Sequence, residues 1–175
     1  MIQDTYLLDT CVLSRLFDNR PEAEQDEKTR KFRARLKTVE QSRLLICAVV
    51  AGEVEYGLRA ALLPDLEQQT KVRRMIKSFP VTLHISPETA VPHYAQARAN
   101  IFLKFAPQTR RRRRGISSYV EELMDPTAAK ALGIQENDLW IAAVALQYNL
   151  VLVTDDRLRR ICEAVPDLRV ENWLE

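Results

Sequence analysis

Glycine is scarce, with four among 175 residues. Neither GxGxxG nor GxxxxGK[ST] occurs, so phosphate cradling by loops of those two kinds is excluded. Histidine is scarcer still: His84 and His93 are the whole supply, and neither sits in an HExxH arrangement, which argues against histidine-based zinc chemistry. The three cysteines, Cys11, Cys47 and Cys162, are odd in number, far apart and without a CxxC pair. That argues against a disulfide framework or a thiolate zinc site and predicts reduced, mostly buried thiols. No apolar run approaches the roughly 18 residues needed to cross a bilayer, and Asp4 interrupts the first apolar stretch, unlike a secretory leader. The expectation is a cytoplasmic protein with no membrane contact.

What remains is an ordinary globular composition, 46% hydrophobic and 29% charged. A chain of this length buries roughly 70% of the surface exposed on unfolding, enough for a core without disulfides or a structural metal. Residues 1–175 are expected to form a single domain, with no internal repeat and no Ser/Gly linker. The net charge of +2 says little, but the signs are segregated. Residues 98–114 hold seven bases and no acid, ending in Arg110, Arg111, Arg112, Arg113 and Arg114, whereas the last 21 residues hold six acids against four bases. Residues 18–43, with six acids and eight bases, read as a charged insertion whose helix faces solvent, and residues 107–115 as a basic loop.

Short apolar runs at 6–8, 43–50, 81–85 and 150–153, with a weaker one at 168–170, read as five strands. Helical patterns at 26–41, 51–63, 66–79, 87–105, 117–122 and 138–148 lie between them, the last followed by Asn149 as a C-cap candidate. This alternation predicts an α/β fold, a three-layer α/β/α sandwich around a central, mainly parallel five-stranded sheet.

Parallel strands end on one edge, so Asp9 after the first strand and Asp155-Asp156 after the fourth fall along it. Crossover helices open at the same edge, which adds Glu53 and Asp138. Separately, each acid has a plainer role: Asp138 as a helix N-terminal acid, Asp9 as a strand-end turn residue, Glu53 as an exposed helix acid. Together they form an oxygen-rich acidic group with Arg157 as the only obvious cation nearby, an arrangement that suits Mg²⁺ or Mn²⁺ and phosphodiester hydrolysis.

Four segments carry a family resemblance. Tyr6-Leu7-Leu8-Asp9-Thr10-Cys11-Val12-Leu13-Ser14, Val50-Ala51-Gly52-Glu53-Val54-Glu55-Tyr56-Gly57-Leu58 and Asn137-Asp138-Leu139-Trp140-Ile141-Ala142-Ala143-Val144-Ala145-Leu146, with Leu152-Val153-Thr154-Asp155-Asp156 as a fourth motif, resemble the PIN-domain ribonucleases. Within them the likeness is to VapC- and FitB-like toxin subunits of bacterial toxin–antitoxin pairs. The resemblance implies a PIN-like sandwich and a metal-dependent endoribonuclease that hydrolyses RNA with Mg²⁺ or Mn²⁺. It implies Asp9 and Asp138 as principal metal ligands, Glu53 and Asp156 as completing acids, and Thr10, Thr154 and Asp155 as support. A small antitoxin protein and a homodimer are the implied partners. The chain departs from the family pattern at Cys11, where Asn or Ser is usual, and at Ala48 and Val50, where hydroxyl residues often precede the second acid.

Other features stay open at this level. The run Arg110–Arg114 reads either as an RNA-phosphate contact or as a solvated or antitoxin-facing loop, and Arg157 as either a phosphate contact or a surface ion pair. Trp140 and Trp173 read as core residues. Tyr56, Leu58 and the Leu62-Leu63 pair suit a homodimer face or an antitoxin groove. The competing function is a non-catalytic PIN-like module that binds RNA or protein. A haloacid-dehalogenase-like phosphatase needs a second acid where Cys11 stands, and a two-component receiver needs a late Lys with no counterpart here.

Overall fold

Apolar runs in which every successive residue is buried require cover on both faces of a sheet, and this is what the computed structural model contains. It describes residues 4–18, 20–106, 119–125, 130–155 and 158–175. Strands β1 (Tyr6–Leu8), β2 (Leu44–Cys47), β3 (Thr82–Leu83), β4 (Val151–Val153) and β5 (Arg169–Glu171) form one sheet in the order β3-β2-β1-β4-β5. Each pairing is parallel: Tyr6 faces Leu44 and Val151, Ile46 faces Thr82, and Val151 faces Arg169. All three residues of β1 and of β4 are buried, and Leu7, Leu8, Ile46, Leu152 and Val153 are wholly inaccessible.

The chain steps outward from β1 to β2 to β3, then returns to lay β4 on the other side of β1 and β5 beyond it. The direction of winding therefore reverses between β1 and β4. In parallel α/β sheets, the crevice beyond the carboxyl ends at such a reversal is where ligands bind. A hydrogen bond from Asp9 N to Val153 O, 3.0 Å, continues the pairing to the lip of that crevice.

The connecting helices are α1 (Thr10–Leu13), α2 (Glu27–Leu36), α3 (Ala48–Arg59), α4 (Leu66–Ser78), α5 (Pro87–Thr89), α6 (Ala95–Phe105), α7 (Glu136–Gln147) and α8 (Arg159–Ala164). Asp26 and Asp65 cap α2 and α4 by accepting from the backbone N–H groups of Thr29 and Gln68, at 2.7 and 2.9 Å. Between α5 and α6 the residues Ala90–Tyr94 form a π-helical turn around Pro92, whose ring nitrogen has no hydrogen to donate to the helical ladder. Helix α7 buries Leu139 and Ile141 through Ala145, so it is apolar almost all round, as a helix pressed onto a sheet must be.

Several boundaries differ from expectation. The apolar run 43–50 reads as strand throughout, yet the strand ends at Cys47 and Ala48, Val49 and Val50 open α3, packing having overridden the β-preference of the valines. Glu53 consequently lies in the second turn of its helix. Helix α2 stops at Leu36 and keeps its charged side outward, burying only Thr29 and Phe32. Helix α7 begins two residues before Asp138, and Asn149 adopts the left-handed φ of 50° that ends it. Trp173 is in the core, edge-on to Tyr6 with ring centroids 4.9 Å apart. The basic run Arg110–Arg114 and the pair Asp156 and Arg157 lie outside the described residues.

Candidate active site

Asp9 is the residue at which β1 becomes α1. Its backbone is extended and its carboxylate caps the helix, Oδ1 accepting from Thr10 N at 2.7 Å. Oδ2 accepts from the Thr154 hydroxyl at 2.7 Å and from the Cys11 thiol at 3.1 Å. Thr154 follows β4 and is fully buried, so the two strands on either side of the reversal supply an acid and the donor that orients it. The Cys11 thiol also lies 3.4 Å from the Thr154 hydroxyl. Burial, then the neighbouring Asp9 charge, pushes that thiol up to about 12, which keeps it protonated at neutral pH.

Glu53 is held from two other elements. One carboxylate oxygen accepts from the Thr10 hydroxyl and the other from Asn137 Nδ2 at 2.8 Å. Ala48 and Val50 offer Glu53 no hydroxyl, and its donors come from α1 and α7. In the sequence, only its adjacency to Asp138 marks Asn137 as a site residue. Asp138 sits in the first turn of α7, where Oδ2 accepts from Gln135 N at 2.8 Å in a reciprocal capping box with the Gln135 side chain.

Asp9, Glu53 and Asp138 line one cleft of about 780 Å³ at the carboxyl edge of the sheet, together with Thr10, Cys11 and Asn137. Among the described residues no Lys or Arg lines it, and neither histidine does. Asp155 follows β4, half-buried, and its charge adds slightly to the upward shift of the Cys11 thiol. Among the described residues no three His, Cys, Asp or Glu side chains converge closely enough to hold an ion in the present arrangement. Two aromatic residues border the same space: Tyr56 on α3, largely exposed, and Trp140 on α7, half-buried. Trp140 is therefore not the core residue that its apolar helix suggests, because its position in the first turns of α7 places it beside the cleft.

The family model for the PIN domain matches residues 6–164, from the first residue of β1 to the last of α8. The chain belongs to the PIN-domain family. Solved structures reproduce this PIN domain along its length. It is similar to DNA-bound VapBC from Salmonella typhimurium, at 24% identity over 98% of this chain and 99% of that one, with a TM-score of 0.64. It is similar also to FitAB bound to the IR36 DNA fragment, at 22% identity over 98% and 96% with a TM-score of 0.65. A toxin–antitoxin complex from Klebsiella pneumoniae matches at 17% identity over 97% and 98%, with a TM-score of 0.56. No curated protein sequence matches this PIN domain. Among its described residues, no helix is long and apolar enough to cross a membrane.

Proposed function

We propose that this PIN domain is a divalent-metal-dependent endoribonuclease and the toxin component of a toxin–antitoxin pair. The observation that carries the reading is the meeting of Asp9, Glu53 and Asp138, from positions spread over the chain, on one cleft without a basic side chain among the described residues. Three carboxylates around one cleft with no basic side chain on it among the described residues give it a negative potential that a divalent cation offsets.

The donor set fits Mg²⁺ or Mn²⁺ rather than a softer ion. It consists of carboxylate oxygens, the one thiol at the wall is held protonated, and no imidazole lines the cleft among the described residues. Mg²⁺ keeps several waters and is usually bound through one or two carboxylates, so a close ligand shell of three side chains is not required. Asp9 and Asp138 would hold the ion, with Glu53 and Asp156 completing the acidic group. When bound, such an ion supplies Lewis acidity toward a phosphodiester and offsets its charge. Thr154 and Cys11 fix the Asp9 carboxylate, Thr10 and Asn137 fix Glu53, and Asp155 is placed next to Thr154 as further support. Arg157 and Arg110–Arg114 are the chain's candidates for the substrate phosphates.

The partner reading is a small antitoxin that covers the site, in line with the toxin–antitoxin complex among the structural relatives, and a homodimer of the chain itself. Leu62, Leu63 and Leu66 offer a surface for self-association: they are 98%, 92% and 74% exposed in and after the turn between α3 and α4.

RNA cleavage by the purified chain with Mg²⁺ or Mn²⁺, repeated after EDTA and with Asp9→Asn and Asp138→Asn, tests the proposal. Loss of cleavage in all three cases is expected. Undiminished cleavage by both variants overturns the metal assignment. RNA binding that survives EDTA, with no products under any divalent ion, replaces the nuclease by a non-catalytic RNA-binding module.

A further inference from the structure

The Trp140 indole lies against the Tyr94 ring, with centroids 3.7 Å apart and planes 3° from parallel. Tyr94 is the last residue of the π-helical turn Ala90–Tyr94, and that turn packs on α7. Its hydroxyl donates to the Glu136 carboxylate and accepts from Arg98 Nη1 at 2.8 Å, while Arg98 pairs with Glu136 at 3.4 Å. The Arg98 guanidinium also lies over the Tyr94 ring, 5.9 Å from its centroid. Trp140 is thereby backed on one face by a ring that three further contacts hold in place. At the same time it lines the cleft that contains Asp9 and Asp138.

Packing alone accounts poorly for this arrangement. The residues around Trp140 on α7, Leu139 and Ile141 through Ala145, are buried, whereas Trp140 keeps part of its surface at the cleft. A rigid, partly open indole next to carboxylates is chemically suited to the flat face of a nucleobase, since every base has a π-face and stacking needs no hydrogen-bond code. Fixing the ring in advance removes the cost of ordering it when ligand arrives.

We propose that the Tyr94–Trp140 stack is a nucleobase subsite, on which an unpaired base of single-stranded RNA extends the stack and so sets the neighbouring phosphate beside Asp9 and Asp138. The subsite rests on the ribonuclease reading for its consequence in cleavage, although base binding itself does not require catalysis. Purines, with the larger ring system, bind it more tightly than pyrimidines.

Trp140 and Trp173 are the only tryptophans, and Trp173 is buried, so emission quenching on ligand addition reports Trp140. Short oligoadenylate and oligouridylate are titrated in Ca²⁺ at low ionic strength, followed by protein emission and by anisotropy of the labelled oligonucleotide. Saturable quenching, stronger with oligoadenylate, is expected. Trp140→Leu should weaken binding about tenfold and Trp140→Phe should restore most of it, since stacking survives the exchange of one aromatic face for another. In cleavage assays Trp140→Leu should raise KM by a similar factor. Absence of quenching in the wild-type chain overturns the subsite. Wild-type affinity in Trp140→Leu does so too, as does a Phe variant that melts like the wild type yet binds as weakly as the Leu variant. A wild-type chain that binds through Trp140 but cuts no RNA overturns the nuclease reading and leaves the subsite standing. Cleavage whose KM ignores Trp140→Leu does the reverse.

Discussion

Asn137 and Thr10 reach Glu53 from different helices, and each hydrogen bond to a carboxylate restricts where its charge points. A donor to a charged acceptor contributes more than a neutral pair, and groups that orient metal-binding side chains typically account for about 10–100-fold in metal affinity or activity. Asn137→Ala is therefore expected to raise the Mn²⁺ concentration for half-maximal RNA cleavage by about 10–100-fold. Because Asn137 is exposed, the melting temperature should stay close to that of the wild type. An unchanged Mn²⁺ dependence would show that Glu53 needs no help from α7. The strand-end and helix-start positions of the acids are legible in the sequence but their orientation is not, since the Asn137 contact spans 84 positions and exists only because α7 and α3 meet at the cleft.

Helix termini and helix pairs carry the next set of consequences. Asp138 both faces the cleft and closes the capping box of α7, so its removal has two separable effects. Asp138→Ala should lower unfolding stability by about 0.5–2 kcal/mol in urea titrations, the usual range for losing a cap. Asp138→Asn keeps an acceptor for Gln135 N and should cost less stability while abolishing cleavage just as fully. Equal destabilisation by the two would mean that charge, not the hydrogen bond, stabilises the helix end. Between α3 and α4, Glu55 accepts from Arg73 at 2.9 and 3.1 Å and from Arg59 at 2.7 Å. The Arg73 hydrogen bonds first, then that from Arg59, hold its carboxyl down at about 2 against an ordinary 4.5. A carboxyl with a depressed folded-state value contributes stability above its ordinary value, and the contribution is lost as pH falls through the folded one. Stability should thus fall from about pH 4.5 to about pH 2, and Glu55→Gln should make the acid limb of the urea midpoint shallower over that window. The element boundaries were the least legible level. Val49 and Val50 carry strand preference in isolation, and only packing against the sheet edge makes them helical.

At the scale of the whole molecule, Leu62, Leu63 and Leu66 concentrate exposed apolar surface in one short stretch, where single exposed leucines would need no explanation. If this surface joins two copies of the chain, Leu62→Glu with Leu63→Glu should convert the dimer to a monomer in light scattering and leave the far-UV spectrum unchanged. A dimer that persists places the interface elsewhere. Tyr56, which the sequence groups with Leu58, Leu62 and Leu63, lines the cleft, one turn beyond Glu53 on α3.

Alternating apolar runs and helical patterns were enough to require a parallel, doubly covered sheet, since continuous burial along β1 and β4 leaves no face for water. They were enough, too, to bring Asp9, Glu53 and Asp138 to one edge, because parallel strands share a direction. Which strands are neighbours was decided only in three dimensions, where β4 lies against β1 and hands Thr154 to Asp9. Tertiary contact likewise turned an apparent core tryptophan into one wall of the cleft, since a helical residue's surroundings depend on what packs beside it and the π-helical turn carrying Tyr94 is what lies there.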